Sequence, residues 1–266
     1  MLDMLAYHGF KRKPFDKGIK SEDALDTETS KECAARLRYI KQRGGIMLLV
    51  GDPGVGKTIE LRRFVSGLNE NIFRPIYTPL STLKGADLLR HISERLGLAN
   101  RASKAASYVQ IQRELLDSKE QKGRTVILII DEAHLLRTSS LQELRLLTNF
   151  KMDSFDPFIL ILAGQIELRK LMNLGVMEAF SQRIALRHTM PPLSPNETIE
   201  YIEKQMKIAG APDPIFSPDA LSAIYEVSFG IPRRIGIAAE MSLTLAMLEG
   251  KKSIDADLVL KAKVGG

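Results

Sequence analysis

The stretch Gly51-Asp52-Pro53-Gly54-Val55-Gly56-Lys57-Thr58 constrains this chain more than any other. It fits the phosphate-loop pattern G-x-x-x-x-G-K-[ST] at every fixed position. The apolar run Ile46-Met47-Leu48-Leu49-Val50 leads into it and reads as a buried parallel strand. Thr58-Ile59-Glu60-Leu61-Arg62-Arg63-Phe64-Val65 follows and reads as a helix. The glycines therefore sit where a strand turns sharply into a helix N-terminus. There they let backbone N–H groups approach a polyphosphate with no Cβ in the way. The helix start adds unpaired N–H donors and the positive end of its dipole. Lys57 would reach the outer phosphates, Thr58 would hold Mg²⁺ through its hydroxyl, and the backbone from Gly51 to Ile59 would cradle the nucleotide.

A second stretch has matching chemistry. Val126-Ile127-Leu128-Ile129-Ile130 runs straight into Asp131-Glu132. A continuous apolar strand is what a parallel sheet covered on both faces demands. Ligands of such sheets sit beyond the carboxyl ends of the strands, where the two carboxylates fall. Asp131 would hold the water shell of Mg²⁺. Glu132 would polarise the attacking water as a general base. Phe158-Ile159-Leu160-Ile161-Leu162-Ala163-Gly164-Gln165 repeats the pattern of strand followed by polar residue. The Gln165 amide both donates and accepts, so it either contacts the γ-phosphate and its water or merely satisfies a loop.

Elsewhere the patterns are coarser. Thr29 or Ser30 is placed to cap a helix running to about Arg43, ended by Gly44-Gly45. Phe73–Thr78 reads as a strand in which Pro75 argues for the start or an edge. Helices are expected over Gly85–Leu96, Tyr108–Lys119 and Ser139–Phe150, with a basic loop from Asn100 to Lys104 and a short strand at Ala185–Met190. At Pro191-Pro192 the character changes, and only helices follow. Ser194-Pro195-Asn196-Glu197 is a capping box, and Ser217-Pro218-Asp219 opens another helix in the same way. Gly230-Ile231-Pro232-Arg233-Arg234 punctuates before a helix at Ile235–Leu248, and Asp255 or Ser253 would cap the last one. The aromatics Tyr7, Phe10 and Phe15 near the N-terminus either pack on the domain or flank an adenine. The expected organisation is an α/β domain at 1–190, with an extension at 1–28, and a small all-helical domain at 191–266.

Composition adds limits. The 266 residues carry a net charge of +6, which leans towards a polyanionic partner. One cysteine, Cys33, excludes an intrachain disulfide and a cysteine metal site, and four scattered histidines offer no ligand spacing. No signal peptide or membrane span is recognisable, so the expectation is a cytoplasmic chain with no membrane partner.

The order of phosphate loop, Asp131-Glu132, Gln165 and a helical tail with Gly230-Ile231-Pro232-Arg233 resembles the AAA+ ATPases. Tyr7-His8-Gly9-Phe10 with Pro14-Phe15, Ala163-Gly164-Gln165-Ile166-Glu167-Leu168, Gln182-Arg183-Ile184 and Leu193-Ser194-Pro195 resemble the ExeA-type ATPases and the related TnsC, TniB and MuB regulators of DNA transposition. The resemblance implies an AAA+ parallel sheet flanked by helices with a helical lid, binding ATP and Mg²⁺. It implies a first sensor at Gln165, a neighbouring subunit's arginine finger at Arg183, with Arg187 close enough to take that part, and a second sensor at Arg233, shadowed by Arg234. Full-length secretion ATPases of the ExeA type continue into a membrane span and a wall-binding region, whereas this sequence stops at Gly266. That departure turns the expectation to transposition regulators, which form a homo-oligomeric ring or filament on duplex DNA and engage a transposase. Lys84, Arg101 and Lys104 are the candidate DNA-backbone contacts. The alternative is a protein-assembly ATPase of a secretion system.

Overall fold

The computed structural model describes residues 3–16, 18, 23, 25–79, 85–101 and 103–264. Its residues fall into two compact units: Glu32–Gly51 with Glu60–Met190, and Met1–Lys31 with Asp52–Ile59 and Pro191–Gly266.

The first unit is built on a five-stranded sheet. The strands β1 (Gly45–Val50), β2 (Phe73–Thr78), β3 (Thr125–Ile130), β4 (Phe158–Gly164) and β5 (Ile184–Thr189) lie in the order β2-β3-β4-β1-β5. Every pairing is parallel. Burial follows sheet position. All residues of β1, β3 and β4 are buried, whereas the edge strands β2 and β5 each open with three partly exposed residues and include exposed positions. Pro75 lies on edge strand β2, where a missing N–H costs the ladder nothing. Helices α4 (Gly85–Arg95), α5 (Lys104–Glu120) and α6 (Thr138–Leu147) supply Leu88, Ile92, Ile111, Leu141 and Leu144 to the core beside Leu128, Ile130, Leu160 and Leu162. Each fully buried Leu or Ile of this kind contributes about 2 kcal/mol. In the three central strands a polar residue is therefore tolerated only where a strand begins or ends.

That is where the functional sequence lies. β4 is flanked by β3 and β1, so the C-terminal ends of three adjacent strands emerge together. They deliver Asp131, Gln165 and Gly51. The Gly51 N–H bonds the Gly164 carbonyl at 3.2 Å, and the Asp131 N–H bonds the Thr78 carbonyl at 3.1 Å, so the ladder reaches the first residue of both loops.

The second unit is helical: α1 (Met4–His8), α9 (Pro195–Ala209), α10 (Pro218–Ser228), α11 (Pro232–Leu248) and α12 (Ala256–Val264). Ser194 makes the full capping box with Glu197, Ser217 accepts from the Ala220 N–H, and Asp255 Oδ1 accepts from the Leu258 N–H at 2.9 Å. The N-terminal aromatics pack here. Phe10 joins the core of Ile202, Ile224, Ile235 and Leu243, and Phe15 meets Tyr201. Gly230 turns the chain into α11 at φ 68°, and a Cβ there would fall 2.0 Å from the Leu193 carbonyl oxygen.

Three local expectations need correction. The helix α2 (Glu28–Arg43) is capped by Thr27, whose Oγ1 accepts from the Ser30 N–H, and not by Thr29 or Ser30. Lys104 opens α5 because Ser103 caps it, so the basic loop ends one residue earlier. α11 begins at Pro232, which puts Arg233 and Arg234 in its first turn and not before it. The tail after Pro191 is helical as expected, with one isolated parallel bridge between Phe216 and Ile254.

Candidate active site

The phosphate loop runs from the end of β1 into α3 (Lys57–Ser66). Gly54 and Gly56 adopt φ of 88° and 107°, the left-handed region that a side chain resists. Lys57 is buried, with only 6 % of its surface exposed, and its Nζ donates to the Asp52 carbonyl at 3.0 Å. The Gly54 carbonyl accepts from the Arg233 N–H at 3.3 Å, and a Cβ on Gly54 would stand 2.6 Å from the Arg233 Cβ. The missing side chain at Gly54 thus lets the start of α11 close on the loop. Arg233 is itself exposed. A loop with left-handed glycines, helix N–H donors and a buried ammonium suits a polyphosphate.

At the end of β3, Asp131 is 3 % exposed, with both carboxylate oxygens engaged. Oδ2 accepts from the Tyr77 hydroxyl at 2.9 Å, and Oδ1 accepts from the Glu132 N–H at 2.9 Å. A hard cation takes oxygen ligands, and the Asp131 carboxylate is a ligand of that kind. Burial, then the Asp131 charge and hydrogen bond, push the Tyr77 hydroxyl well above its ordinary pKa, so it stays a donor. Among the described residues no group of three or more His, Cys, Asp and Glu could hold a metal on its own.

Glu132 adopts φ 53°, ψ 32° at the start of a 3-10 turn over Ala133–Leu135. A left-handed non-glycine residue costs about 1 kcal/mol or more. Here it folds the chain back, so that His134 Nδ1 lies 3.4 Å from Glu132 Oε2 and 3.4 Å from the Gln165 N–H nitrogen. Gln165 is half-buried and sits at the N-cap of α7 (Ile166–Met172), where its side chain makes no capping bond.

The other candidates are spread. Just past the short helix α8 (Glu178–Ser181), Arg183 Nη1 donates to Thr148 Oγ1 at 3.1 Å and to the Arg145 carbonyl at 3.5 Å, at the end of α6. Arg187 is exposed, and its Nη2 donates to the carbonyl and hydroxyl of Ser181, both at 2.7 Å. Arg101 donates to Gln110 Oε1 at 3.0 Å, Lys104 is ion-paired with Glu143, and Lys84 lies outside the described residues. Sequence reasoning passed over Tyr77 and His134. His134 lies within three residues of Asp131, so its nearness was visible. Tyr77 needed the pairing of β2 with β3, which no local pattern carries.

With the loop and both carboxylates located, similarity to known proteins decides the family. The AAA domain pattern matches residues 40–172, half of the chain. The chain belongs to the AAA domain family. It is accordingly a nucleotide-binding, ATP-hydrolysing P-loop protein of the AAA+ type. This AAA ATPase is 30 % identical over 260 residues to General secretion pathway protein A of Aeromonas hydrophila, covering 96 % of the chain and 47 % of that relative. It is 30 % identical over 123 residues to ATP-dependent target DNA activator B of Escherichia phage Mu, covering 46 % of the chain and 37 % of that relative. The chain thus spans about half the length of the first of these relatives, or less for the second. Among solved structures it resembles the Aeropyrum pernix ORC1 protein in complex with DNA, with a TM-score of 0.67 at 18 % identity, covering 94 % of the chain and 68 % of that protein. At that identity the likeness concerns the fold alone. Among the described residues no helix is long and apolar enough to cross a membrane.

Proposed function

We propose that this AAA ATPase is a member of the ExeA-like group that assembles with ATP into a ring or filament on duplex DNA and regulates transposition, presenting a target to a transposase. The observation that carries the proposal is the 30 % identity to a protein named ATP-dependent target DNA activator B. The net charge of +6 agrees with a polyanionic partner. The chain's own residues divide the work. Lys57 and the N–H groups from Gly51 to Ile59 bind the phosphates of ATP. Thr58 and Asp131 would hold Mg²⁺, which when bound neutralises charge on the phosphates. Glu132 takes the proton of the attacking water, and Gln165 orients that water or meets the γ-phosphate. Arg233 responds to the nucleotide from the first turn of α11. Arg183, or the more exposed Arg187, stabilises transition-state charge in a neighbouring subunit's site.

The long match to General secretion pathway protein A favours a second reading, a protein-assembly ATPase that needs no DNA. Fluorescence anisotropy of labelled duplex DNA separates the two, using ATP, ADP and a non-hydrolysable analogue across a salt series. The expected result is ATP-dependent binding with little sequence preference, weakening steeply with salt because phosphate neutralisation drives it. Lys57→Ala should abolish the ATP dependence while a thermal melt shows it folded. No binding at low salt by the ATP-loaded protein would sink the DNA reading and advance the secretion one.

A further inference from the structure

We infer that His134 is a positioning residue that aims the Glu132 carboxylate and couples it to Gln165. The inference rests on the assignment of Glu132 as the base, and it adds a residue that no resemblance supplied. Its basis is a geometric conflict at a single atom. His134 Nδ1 stands 3.4 Å from Glu132 Oε2 and 3.4 Å from the backbone nitrogen of Gln165. In a neutral imidazole that nitrogen carries either a proton or a lone pair. With the proton it donates to Glu132 and can take nothing from Gln165. With the lone pair it accepts the Gln165 N–H and releases Glu132. The two contacts exclude each other, and both are longer than a well-formed hydrogen bond. The ring is therefore poised between the end of β3 and the end of β4.

Two further features hold it there. The left-handed backbone at Glu132 turns the chain so that His134 folds back over the strand ends. Gly164 leaves room for it, because a Cβ there would stand 3.1 Å from the His134 backbone nitrogen and 3.3 Å from Nδ1. Only 9 % of the His134 side chain is exposed, whereas Glu132 is 47 % exposed. A carboxylate that open to water samples many rotamers. A fixed donor beside it selects the one aimed at the attacking water. When a ligand moves Gln165, its N–H leaves Nδ1 or closes on it, and the donor to Glu132 appears or disappears. His134 thus carries information from Gln165 to the base without touching substrate.

The test compares kcat and nucleotide Kd for His134→Ala, His134→Asn, His134→Gln, Glu132→Gln and the double variant Glu132→Gln/His134→Ala, each with a thermal melt. Asn puts an amide where Nδ1 stands and offers both a donor and an acceptor, whereas the amide of Gln lies farther out. His134→Ala is expected to lower kcat about tenfold with Kd held within about twofold. His134→Asn should stay within about threefold of the parent, and His134→Gln should follow Ala. In the Glu132→Gln background, adding His134→Ala should cost nothing more, since its target is gone. If His134→Ala does not fold, the Asn and Gln variants carry the comparison. Equal loss in Asn and Gln, an unchanged kcat in Ala, or additive losses in the double variant would overturn the coupling. Full turnover by Glu132→Gln would overturn the base assignment as well, and only that result does so.

Discussion

Asp131 shows how much a single buried carboxylate depends on its donors. It follows five consecutive apolar residues of β3, and the Tyr77 hydroxyl and Glu132 N–H meet its two oxygens. A buried acceptor that loses a donor forfeits part of its compensation for leaving water. Tyr77 is itself 40 % exposed, so water partly replaces it. Tyr77→Phe is therefore expected to destabilise the fold by about 1 kcal/mol, as for an ordinary hydrogen bond and less than for a fully buried bond to a charged group. Urea denaturation at constant m would register this as a lower midpoint. An unchanged midpoint would mean that water or a neighbour already satisfies Asp131.

At the scale of elements, the start of α9 is tied more tightly than a simple cap requires. Glu197 Oε2 accepts from the Ser194 N–H at 2.8 Å, and its Oε1 accepts from the Thr29 N–H at 3.3 Å. Burial would raise the Glu197 carboxyl, but these hydrogen bonds together outweigh it, and its pKa lies below the ordinary value. One side chain thus serves the first turns of two helices, α9 and α2. Ser194→Ala should cost about 1 kcal/mol, as for other caps. Glu197→Ala should cost more, because it leaves two N–H donors without the carboxylate. Equal thermal shifts for the two variants would show that the Thr29 bond contributes nothing.

Across the whole molecule, three of the four histidines share one electrostatic bias. His8, His91 and His188 each have a pKa below the ordinary 6.5, and burial is the largest cause in each. His8 meets the Leu243 carbonyl and feels Lys252, whereas His188 feels Glu32 and, opposing it, Arg36. A depressed histidine pKa means that the unfolded chain binds protons first. Their contribution to stability is present above about pH 6.5 and is lost as pH falls towards the folded values. The thermal midpoint should therefore be lower at pH 5 than at pH 7.5, and His188→Gln should narrow that gap. A gap unchanged in the variant would assign the acid sensitivity to other groups, such as the low-pKa carboxyls of Glu114 and Glu197.

The sequence alone determined whatever is written in contiguous residues. A glycine pattern between an apolar run and a helix identifies the phosphate loop, because the geometry it imposes is local. The unbroken runs before Asp131 and Gln165 announce a parallel sheet, because only strands covered on both faces bury every side chain. The Ser194 and Ser217 caps are equally local. Tertiary structure alone decided what depends on strand order and on chain reversal. β4 lies between β1 and β3, so Gly51, Asp131 and Gln165 share one end of the sheet although Val50 and Gly164, paired in register, are 114 positions apart in sequence. Tyr77 reaches Asp131 only because β2 pairs with β3, and His134 meets Gln165 only because Glu132 turns left-handed and Gly164 yields the space. Hydrogen-bond partners distant in the chain have no periodic signature, since the sheet and not the spacing brings them together.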